Sequence, residues 1–205
     1  MYVPAHFAAD DDAVTELLVN HGAGDLVTAT ARGLLTTRIP WVYDPERHAL
    51  HGHLARANPQ WRTPWTGEAM VLLREDTFYV TPNWYASRDE DSRVSPSFNY
   101  RAANVHGELV IRDDVAWVED QIRRLAAKHE AGRPRPWTVD EPPRSWVDGL
   151  LPGIVGVELV ISRIEAKTKM SQNRAERDVD GIIAGVEADG RAAAAEAARR
   201  ANHRS

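Results

Sequence analysis

Short apolar runs separated by turn residues dominate the first two-thirds of the chain. They lie at residues 25–31, 34–43, 48–56, 69–74, 77–81 and 104–112. Their length and their content of β-branched and aliphatic side chains predict strands joined by tight turns. Glu75 and Asp76 are expected at the tip of a hairpin between the fourth and fifth runs. Meandering strands of this kind favour an antiparallel sheet or barrel over a parallel one.

Helical signals occur before, between and after these strands. Three consecutive Asp residues at 10–12 predict the capped start of a short helix that Gly22 ends. Asp113 and Asp114 predict the cap of a long helix with an apolar stripe, which Gly132 ends. A last helix is predicted at residues 175–188.

The remaining segments complete the expected architecture. Residues 133–145 are rich in Pro and Arg and predict a surface linker, and residues 153–164 predict a final apolar strand. The sequence therefore predicts an α+β fold with one domain at 1–190. An Ala- and Arg-rich tail at 191–205 is expected to be helical or frayed.

Composition narrows the chemistry. The 205 residues include no Cys, which excludes disulfides, thiolate metal sites and Cys nucleophiles. The net charge of −5 counts against nucleic acid as a main partner. The sequence shows neither a secretory signal nor an apolar run long enough to cross a bilayer. We therefore expect a cytoplasmic protein without a membrane partner.

One candidate binding segment, residues 52–61, follows the third strand. It places His53, Arg56 and Asn58 within six residues and ends in Trp61. Polar side chains at a strand exit can be directed at a bound molecule. A capped strand end with a surface arginine explains the same pattern, and spacing alone does not separate the two.

A second candidate segment, residues 167–174, follows the last strand. It offers many hydrogen-bond donors and few acceptors, which suits a phosphate or a carboxylate. The donors are Lys169, Ser171, Gln172, Asn173 and Arg174. A polar strand end followed by a helix cap is the alternative. Tyr85 and Tyr100, with Trp84 and Phe98, are candidates for the walls of a flat pocket or for ordinary core.

Five ordered motifs resemble the PaiB-like family of FMN-binding regulators. They are Met1-Tyr2-Val3-Pro4-Ala5-His6-Phe7, residues 52–61, Pro82-Asn83-Trp84-Tyr85, Asn99-Tyr100 and residues 169–174. The resemblance covers nearly the whole chain. It implies an antiparallel split β-barrel with flanking helices, an FMN cofactor, and a homodimer with cofactor sites at the subunit interface.

The chain also departs from that family's pattern around the expected ring pocket. Arg38, Thr77 and Asn104 stand where the family has His, and Phe98 stands where it has Trp. The piperazate synthases, which resemble PaiB throughout, use haem b and convert Nδ-hydroxyornithine to piperazic acid by forming an N–N bond. The resemblance to that branch implies a haem-dependent cyclase with an amino-acid substrate.

That interpretation assigns roles to individual residues. His53 is the first candidate for the axial iron ligand and His106 the second, because no Cys is present. Arg56, Lys169 and Arg174 are candidates to pair with haem propionates, and Arg38 to hold the substrate carboxylate. The candidates for the general base are Tyr85, Tyr100 and His106. Asn58, Ser171, Gln172 and Asn173 complete the predicted cofactor-binding set.

Two alternatives remain open from the sequence. In an FMN-binding protein, either a regulator or a flavin-dependent oxidoreductase, Arg56, Lys169, Ser171 and Asn173 would hold the phosphate. In the other alternative the barrel binds no cofactor and acts through dimerisation. The acidic balance makes direct binding to DNA the least attractive function.

Overall fold

The computed structural model describes residues 1–203. Its strands are β1 (Ala23–Thr30), β2 (Gly33–Pro40), β3 (Val42–Asp44), β4 (Ala49–Ala55), β5 (Ala69–Val80), β6 (Ser97–Arg112) and β7 (Ile154–Lys169). Its helices are α1 (Asp11–Asn20), α2 (Val115–Glu130), α3 (Arg144–Leu150), α4 (Glu176–Ala188) and α5 (Ala192–His203). Within residues 1–203, no helix combines the length and the apolar composition that crossing a bilayer requires.

The chain forms two compact units. Unit 1 comprises Met1–Leu17, Arg74–Ala103 and the described chain from Glu165 onward, and unit 2 comprises Leu18–Leu73 and Asn104–Ile164. The long strands β5, β6 and β7 each contribute residues to both units.

Unit 2 contains residues of all seven strands, which are hydrogen-bonded in the order β2-β1-β5-β6-β7-β4-β3. β1 pairs with β2 from Ala23 opposite Pro40 to Thr30 opposite Gly33, and all the pairs between them are antiparallel. β4 pairs with β7 in the same sense. The predicted α+β fold, an antiparallel split barrel with flanking helices, is confirmed.

Helix α2 begins where the sequence predicts. The carboxylate of Asp114 accepts a hydrogen bond from the Trp117 backbone N–H at 2.8 Å, which satisfies one of the open donors of the first turn. The stripe of α2 packs into a small core with Val139, Val147 and Leu151. Val147 and Leu151 are four residues apart, a helical spacing that lets both side chains reach this core. The end of the predicted linker therefore leads into helix α3, which was not predicted from the sequence.

A buried network of charged groups lies in unit 2. The fully buried carboxylate of Glu158 accepts hydrogen bonds from Arg47 and Arg112 and contacts the Nε2 atom of His51. On the other side of the imidazole, Arg124 contacts Nδ1 at 3.3 Å. Burial alone would raise the pKa of Glu158, but the guanidiniums of Arg47 and Arg112 keep it below its usual value of 4.5.

The core of unit 1 forms around α4 and α5. The buried members are Phe78, Val80, Tyr85, Met170, Val179, Ile182, Ile183, Val186 and four alanines of α5. Those alanines explain why the Ala-rich tail is an ordered helix, since small side chains let α5 pack closely on α4. Arg204 and Ser205, the end of the predicted tail, lie outside the described residues.

The predicted hairpin at residues 69–81 is wrong, because β5 runs through it as one strand. Glu75 and Asp76 are not a turn tip. Their carboxylates accept hydrogen bonds from the buried guanidinium of Arg101 at 3.0 and 2.6 Å. Asp76 has a φ of 50°, a left-handed backbone that Asp tolerates. The polar pair therefore interrupts the apolar pattern without ending the strand.

Candidate cofactor-binding residues

Three basic side chains of unit 1 form what we call the cation cluster: Lys167, Lys169 and Arg174. Lys167 and Lys169 are two positions apart on β7 and therefore share one face of the strand. Arg174 follows in the loop between β7 and α4. All three lie within the donor-rich segment 167–174 that the sequence singles out, although Lys167 was not among the donors predicted there. The signal that identifies it is the spacing of two lysines on one strand.

Aromatic rings hold the cation cluster in place. The ammonium of Lys167 lies 5.6 Å from the ring centres of both Phe7 and Tyr100. Lys169 lies 6.0 Å from Tyr100, and the Arg174 guanidinium lies 4.6 Å from the ring centre of Tyr85. The faces of aromatic rings attract cations at these distances. The rings are therefore partners of the cations, which neither of the sequence interpretations proposed.

The cation cluster lacks acidic partners. Among residues 1–203, no carboxylate forms an ion pair with Lys167, Lys169 or Arg174, whereas most arginines of this chain have one. Burial, followed by the charges of Lys167 and Arg174, lowers the pKa of Lys169 below 10.5. Grouped cations that repel one another and form no ion pair with a carboxylate are candidates to bind an anion.

Most polar residues around the cation cluster shape the loop that carries Arg174. The amide of Asn99 donates to the Ser171 hydroxyl at 2.9 Å, and both side chains are buried. Gln172 accepts from the Met170 backbone and donates to the Thr168 carbonyl, both at 2.7 Å. Asn173 is exposed. Ser171 and Gln172 therefore position the loop through their side chains.

Unit 2 contains the other predicted segment, residues 52–61. His53 lies on β4, and its Nδ1 atom is 2.8 Å from the amide oxygen of Gln121 on α2. An amide oxygen can only accept a hydrogen bond, so Nδ1 is the donor, and in the neutral ring the free lone pair is on Nε2. Gln121 is fully buried within the apolar stripe of α2. The sequence analysis missed it, although a glutamine three residues after the stripe residue Val118 is the available signal.

Other predicted residues of unit 2 have local partners. The guanidinium of Arg56 donates to both carboxylate oxygens of Asp113 and to the carbonyls of Pro152 and Ile154. This network anchors the end of β4. The Asn58 side chain accepts from the Gln60 backbone N–H and donates to the Thr37 hydroxyl, both at 2.9 Å.

Arg38 and His106 also lie in unit 2. Arg38 is exposed and pairs with Asp25 at 3.5 Å. The Nδ1 atom of His106 is 2.9 Å from a guanidinium nitrogen of Arg163. A guanidinium can only donate, so this Nδ1 is the acceptor, and the neutral ring carries its proton on Nε2. The two candidate ligand histidines are therefore oriented oppositely, with the free lone pair at Nε2 in His53 only.

This chain is similar to one protein family and to individual proteins of other organisms. The model of the family described as "Putative FMN-binding domain" matches residues 1–163. Uncharacterized protein AN0679 of Emericella nidulans is 30% identical, and the match covers 91% of this chain and 90% of that protein. Protease synthase and sporulation protein PAI 2 of Bacillus subtilis is 26% identical over 89% of this chain and 87% of its own length.

A solved structure shares the fold. The FAD and Heme binding protein from Mycobacterium smegmatis aligns with a TM-score of 0.56 at 15% identity, over 83% of this chain and 77% of that one. These matches agree with the fold and with the family that the ordered motifs indicate.

Proposed function

Because this chain belongs to the FMN-binding domain family matched over residues 1–163, we propose that it uses a planar cofactor with negatively charged groups, and that the cofactor is haem b. The proposed reaction is the closure of Nδ-hydroxyornithine to piperazic acid. The single observation that supports haem is the orientation of His53, whose Nδ1 donates to Gln121. Metal-binding histidines have their second nitrogen fixed in this way, which directs the lone pair of Nε2 to the metal.

The orientation of the imidazoles also favours His53 over His106 as the iron ligand. His106 accepts a hydrogen bond at Nδ1 from Arg163, so its neutral ring presents an N–H at Nε2. Gln121 is then a positioning residue, since it acts on the metal through His53. The M. smegmatis protein of similar fold is described as binding both FAD and haem, which supports the view that this fold accommodates either cofactor.

The proposed reaction balances without an added oxidant or reductant. The α-amine nitrogen attacks Nδ, the N–N bond forms, the N–O bond breaks, and the hydroxyl group leaves with a proton as water. Bound haem would supply iron as a Lewis acid toward the hydroxylamine oxygen. The protein must hold the carboxylate, for which exposed Arg38 is proposed, and must accept a proton from the attacking amine.

The candidates for that proton transfer differ in their surroundings. Burial raises the pKa of Tyr85, so near neutral pH Tyr85 is suited to donate a proton rather than to accept one. The ring of Tyr100 lies against the ammonium groups of Lys167 and Lys169, and the side chain of Tyr100 is less buried than that of Tyr85. We therefore propose Tyr100 ahead of Tyr85 as the general base, with His106 as the remaining candidate.

A second candidate function, an FMN-binding protein, is favoured by a different observation. The cation cluster of unit 1 offers two ammonium groups and a guanidinium without acidic partners, and a phosphate dianion matches that charge. In this alternative Lys169 and Arg174 hold the phosphate, and the protein is a flavin-dependent oxidoreductase or a regulator.

The absorption spectrum of protein purified from cells supplied with haem separates the two candidates. The proposal predicts a Soret band that is lost in His53→Ala, retained in His106→Ala and shifted in Gln121→Leu. It also predicts that Nδ-hydroxyornithine loses one water without added reductant, as followed by mass spectrometry. A yellow protein with releasable FMN and no conversion of the hydroxylated amino acid would replace the cyclase by the FMN-binding alternative.

A further inference from the structure

Residues 1–9, which we call the strap, lie against β7 within unit 1. The backbone of Ala8 forms an isolated antiparallel bridge with Lys167. The Ala9 N–H donates to the Ala166 carbonyl at 3.5 Å. Both contacts are made by the last two residues of the strap, so other interactions must hold the part that precedes them.

The ammonium of Lys167 supplies such an interaction. Its nitrogen lies 5.9 Å from the ring centre of Tyr2 and 5.6 Å from that of Phe7, and it donates to the Tyr2 carbonyl at 3.4 Å. The ring of Tyr100 on β6 lies at 5.6 Å and completes the enclosure. Aromatic ring faces attract cations at these distances. The strap is therefore fastened to one member of the cation cluster.

The remaining contacts of the strap differ in strength. The Tyr2 side chain is 83% exposed, so apolar packing holds it only slightly. The Met1 amine pairs with Glu165, and a partly exposed pair of this kind contributes little. Phe7 is buried and anchors the strap by its apolar surface. Loss of the Lys167 contacts would therefore loosen the strap without detaching it.

The enclosure leaves Lys167 buried but incompletely hydrogen-bonded. The residue is 8% exposed, and among residues 1–203 no carboxylate forms an ion pair with it. An ammonium carries three N–H groups, and its contact with the Tyr2 carbonyl is longer than most hydrogen bonds. A buried charge with so little compensation is unfavourable. An anion would form shorter, charge-assisted bonds and would compete with the strap for this ammonium.

The other two members of the cation cluster are more accessible. Lys169 and Arg174 are partly exposed, whereas Lys167 lies beneath the rings of the strap. Burial, and after it the charge of Lys167, lowers the pKa of Lys169, so the two ammonium groups are close enough to repel each other. An anion can therefore reach Lys169 and Arg174 first, and its charge then attracts Lys167.

We propose that the strap covers Lys167 and that anion binding at the cation cluster loosens it. An anion held by Lys169 and Arg174 draws the ammonium of Lys167 away from the Tyr2 carbonyl and the strap rings. Because binding and strap release are linked, the strap in turn lowers the affinity for the anion. The inference rests on the proposed anion binding at the cation cluster and adds its regulation. The phosphate of a flavin and the propionates of haem share the required charge.

Hydrogen–deuterium exchange of the full chain, without and with inorganic phosphate, measures the strap directly. The Ala9 N–H reports its contact with β7. Exchange in residues 1–9 is expected to become faster as phosphate is added, while exchange in α2 stays constant. In Lys167→Gln the strap is expected to exchange fast already without phosphate and to respond no further. Propionate ion is the second probe, so that the two anion sources are compared.

Calorimetric titration with phosphate measures the other side of the linkage. Tyr2→Leu combined with Phe7→Leu keeps apolar side chains and removes both strap rings. This variant is expected to bind phosphate about fivefold more tightly, since less attraction holds Lys167 under the strap. Tyr79→Leu is the matched control, because that exposed ring contacts Phe98 and is expected to leave the affinity unchanged. Thermal denaturation of each variant shows that it is folded.

The outcomes separate the strap from the anion site. If phosphate binds and Lys169→Gln weakens its binding, but exchange in the strap does not become faster, the strap proposal is overturned and the anion site stands. Equal phosphate affinity in the double variant and the unaltered protein also overturns it. If neither phosphate nor propionate binds to either protein, the anion site fails and the strap proposal fails with it. Release by propionate alone supports the strap with haem as the anion source, and release by phosphate alone supports it with a flavin.

Discussion

The Nε2 atom of His51 lies 3.2 Å from a carboxylate oxygen of Glu158, and both side chains are buried. The imidazole is therefore held between a carboxylate on one side and the guanidinium of Arg124 on the other. Burial lowers the pKa of His51 below 6.5, despite the opposing effect of Glu158. The neutral ring donates to Glu158 and accepts from Arg124, so each of its nitrogens has one partner.

This pair predicts a two-stage loss of stability in acid. The folded state binds the His51 proton less readily than the unfolded state, so the free energy of unfolding decreases as pH falls below about 6.5. Glu158 also has a lowered pKa, and its contribution is present above about 4.5 and is lost as pH falls through the folded-state pKa. Urea denaturation from about pH 8 to about pH 2 measures both stages.

His51→Gln tests the first stage. Glutamine keeps a donor and an acceptor but does not titrate, so the dependence between about pH 7 and pH 5 is expected to flatten. His129→Gln, at an exposed position of α2, is the control. An unchanged pH profile in His51→Gln would contradict the assignment of the first stage to this residue.

Arg101 is predicted to be the most sensitive charged residue of unit 1. Arg101→Met leaves the partly buried carboxylates of Glu16, Glu75 and Asp76 without their common cation. We expect a loss of about 3–5 kcal/mol in the free energy of unfolding. Arg93→Met is the matched control, because Arg93 is exposed and pairs only with its near neighbour Asp91. A similar small effect in both variants would show that the three carboxylates find other partners.

Two helical glycines are predicted to respond in opposite directions to the same substitution. A methyl group at Gly185 would lie 2.3 Å from the indole of Trp84, whereas one at Gly149 meets nothing within 4 Å. Gly149→Ala is expected to raise the free energy of unfolding by up to about 1 kcal/mol, since alanine is the better helix former. Gly185→Ala is expected to lower it, because the displacement of Trp84 outweighs that gain. Thermal denaturation of the two variants gives the signs directly.

The cation cluster predicts discrimination by phosphate. Lys169→Gln is expected to weaken FMN binding about tenfold and to leave the binding of riboflavin, which lacks the phosphate, unchanged. The pKa of Lys169 is lowered from 10.5, so its ammonium loses its proton at a lower pH than a free lysine does. FMN affinity is therefore expected to decrease at that lower pH. Flavin fluorescence quenching measures both, with exposed Arg88→Gln as the control. If Lys169→Gln weakened the binding of FMN and of riboflavin equally, Lys169 would not act on the phosphate.

Local signals predicted much of the fold. Asp114 caps α2 as expected, and the alternating strands pair as an antiparallel sheet. The hairpin at Glu75 and Asp76 failed because acidic residues signal a turn only when water is their partner, and here their partner is Arg101, 25 or more residues away. Such long-range compensation leaves no trace in the local pattern.

In the candidate site, too, local signals were predicted and long-range contacts were not. The sequence located the donor-rich segment that ends in Arg174 and named Tyr85 and Tyr100, but it did not show that these two rings face the cations of that segment. Gln121 was missed because its role as the partner of His53 depends on a contact between α2 and β4 that the local sequence does not show. Residue type and spacing therefore identified the segments, and tertiary contacts determined which atoms within them are free to bind.

The chain passes between the two units at residues 17–18, 73–74, 103–104 and 164–165. During synthesis, unit 2 has all of its residues once residue 164 has emerged, whereas unit 1 still lacks Met170, α4 and α5. Nascent chains fold as segments become available. On a ribosome stalled after residue 164, the chain of unit 2 would therefore be complete. Unit 1 would still lack the C-terminal helices that cover its apolar residues, Phe78 and Val80 among them.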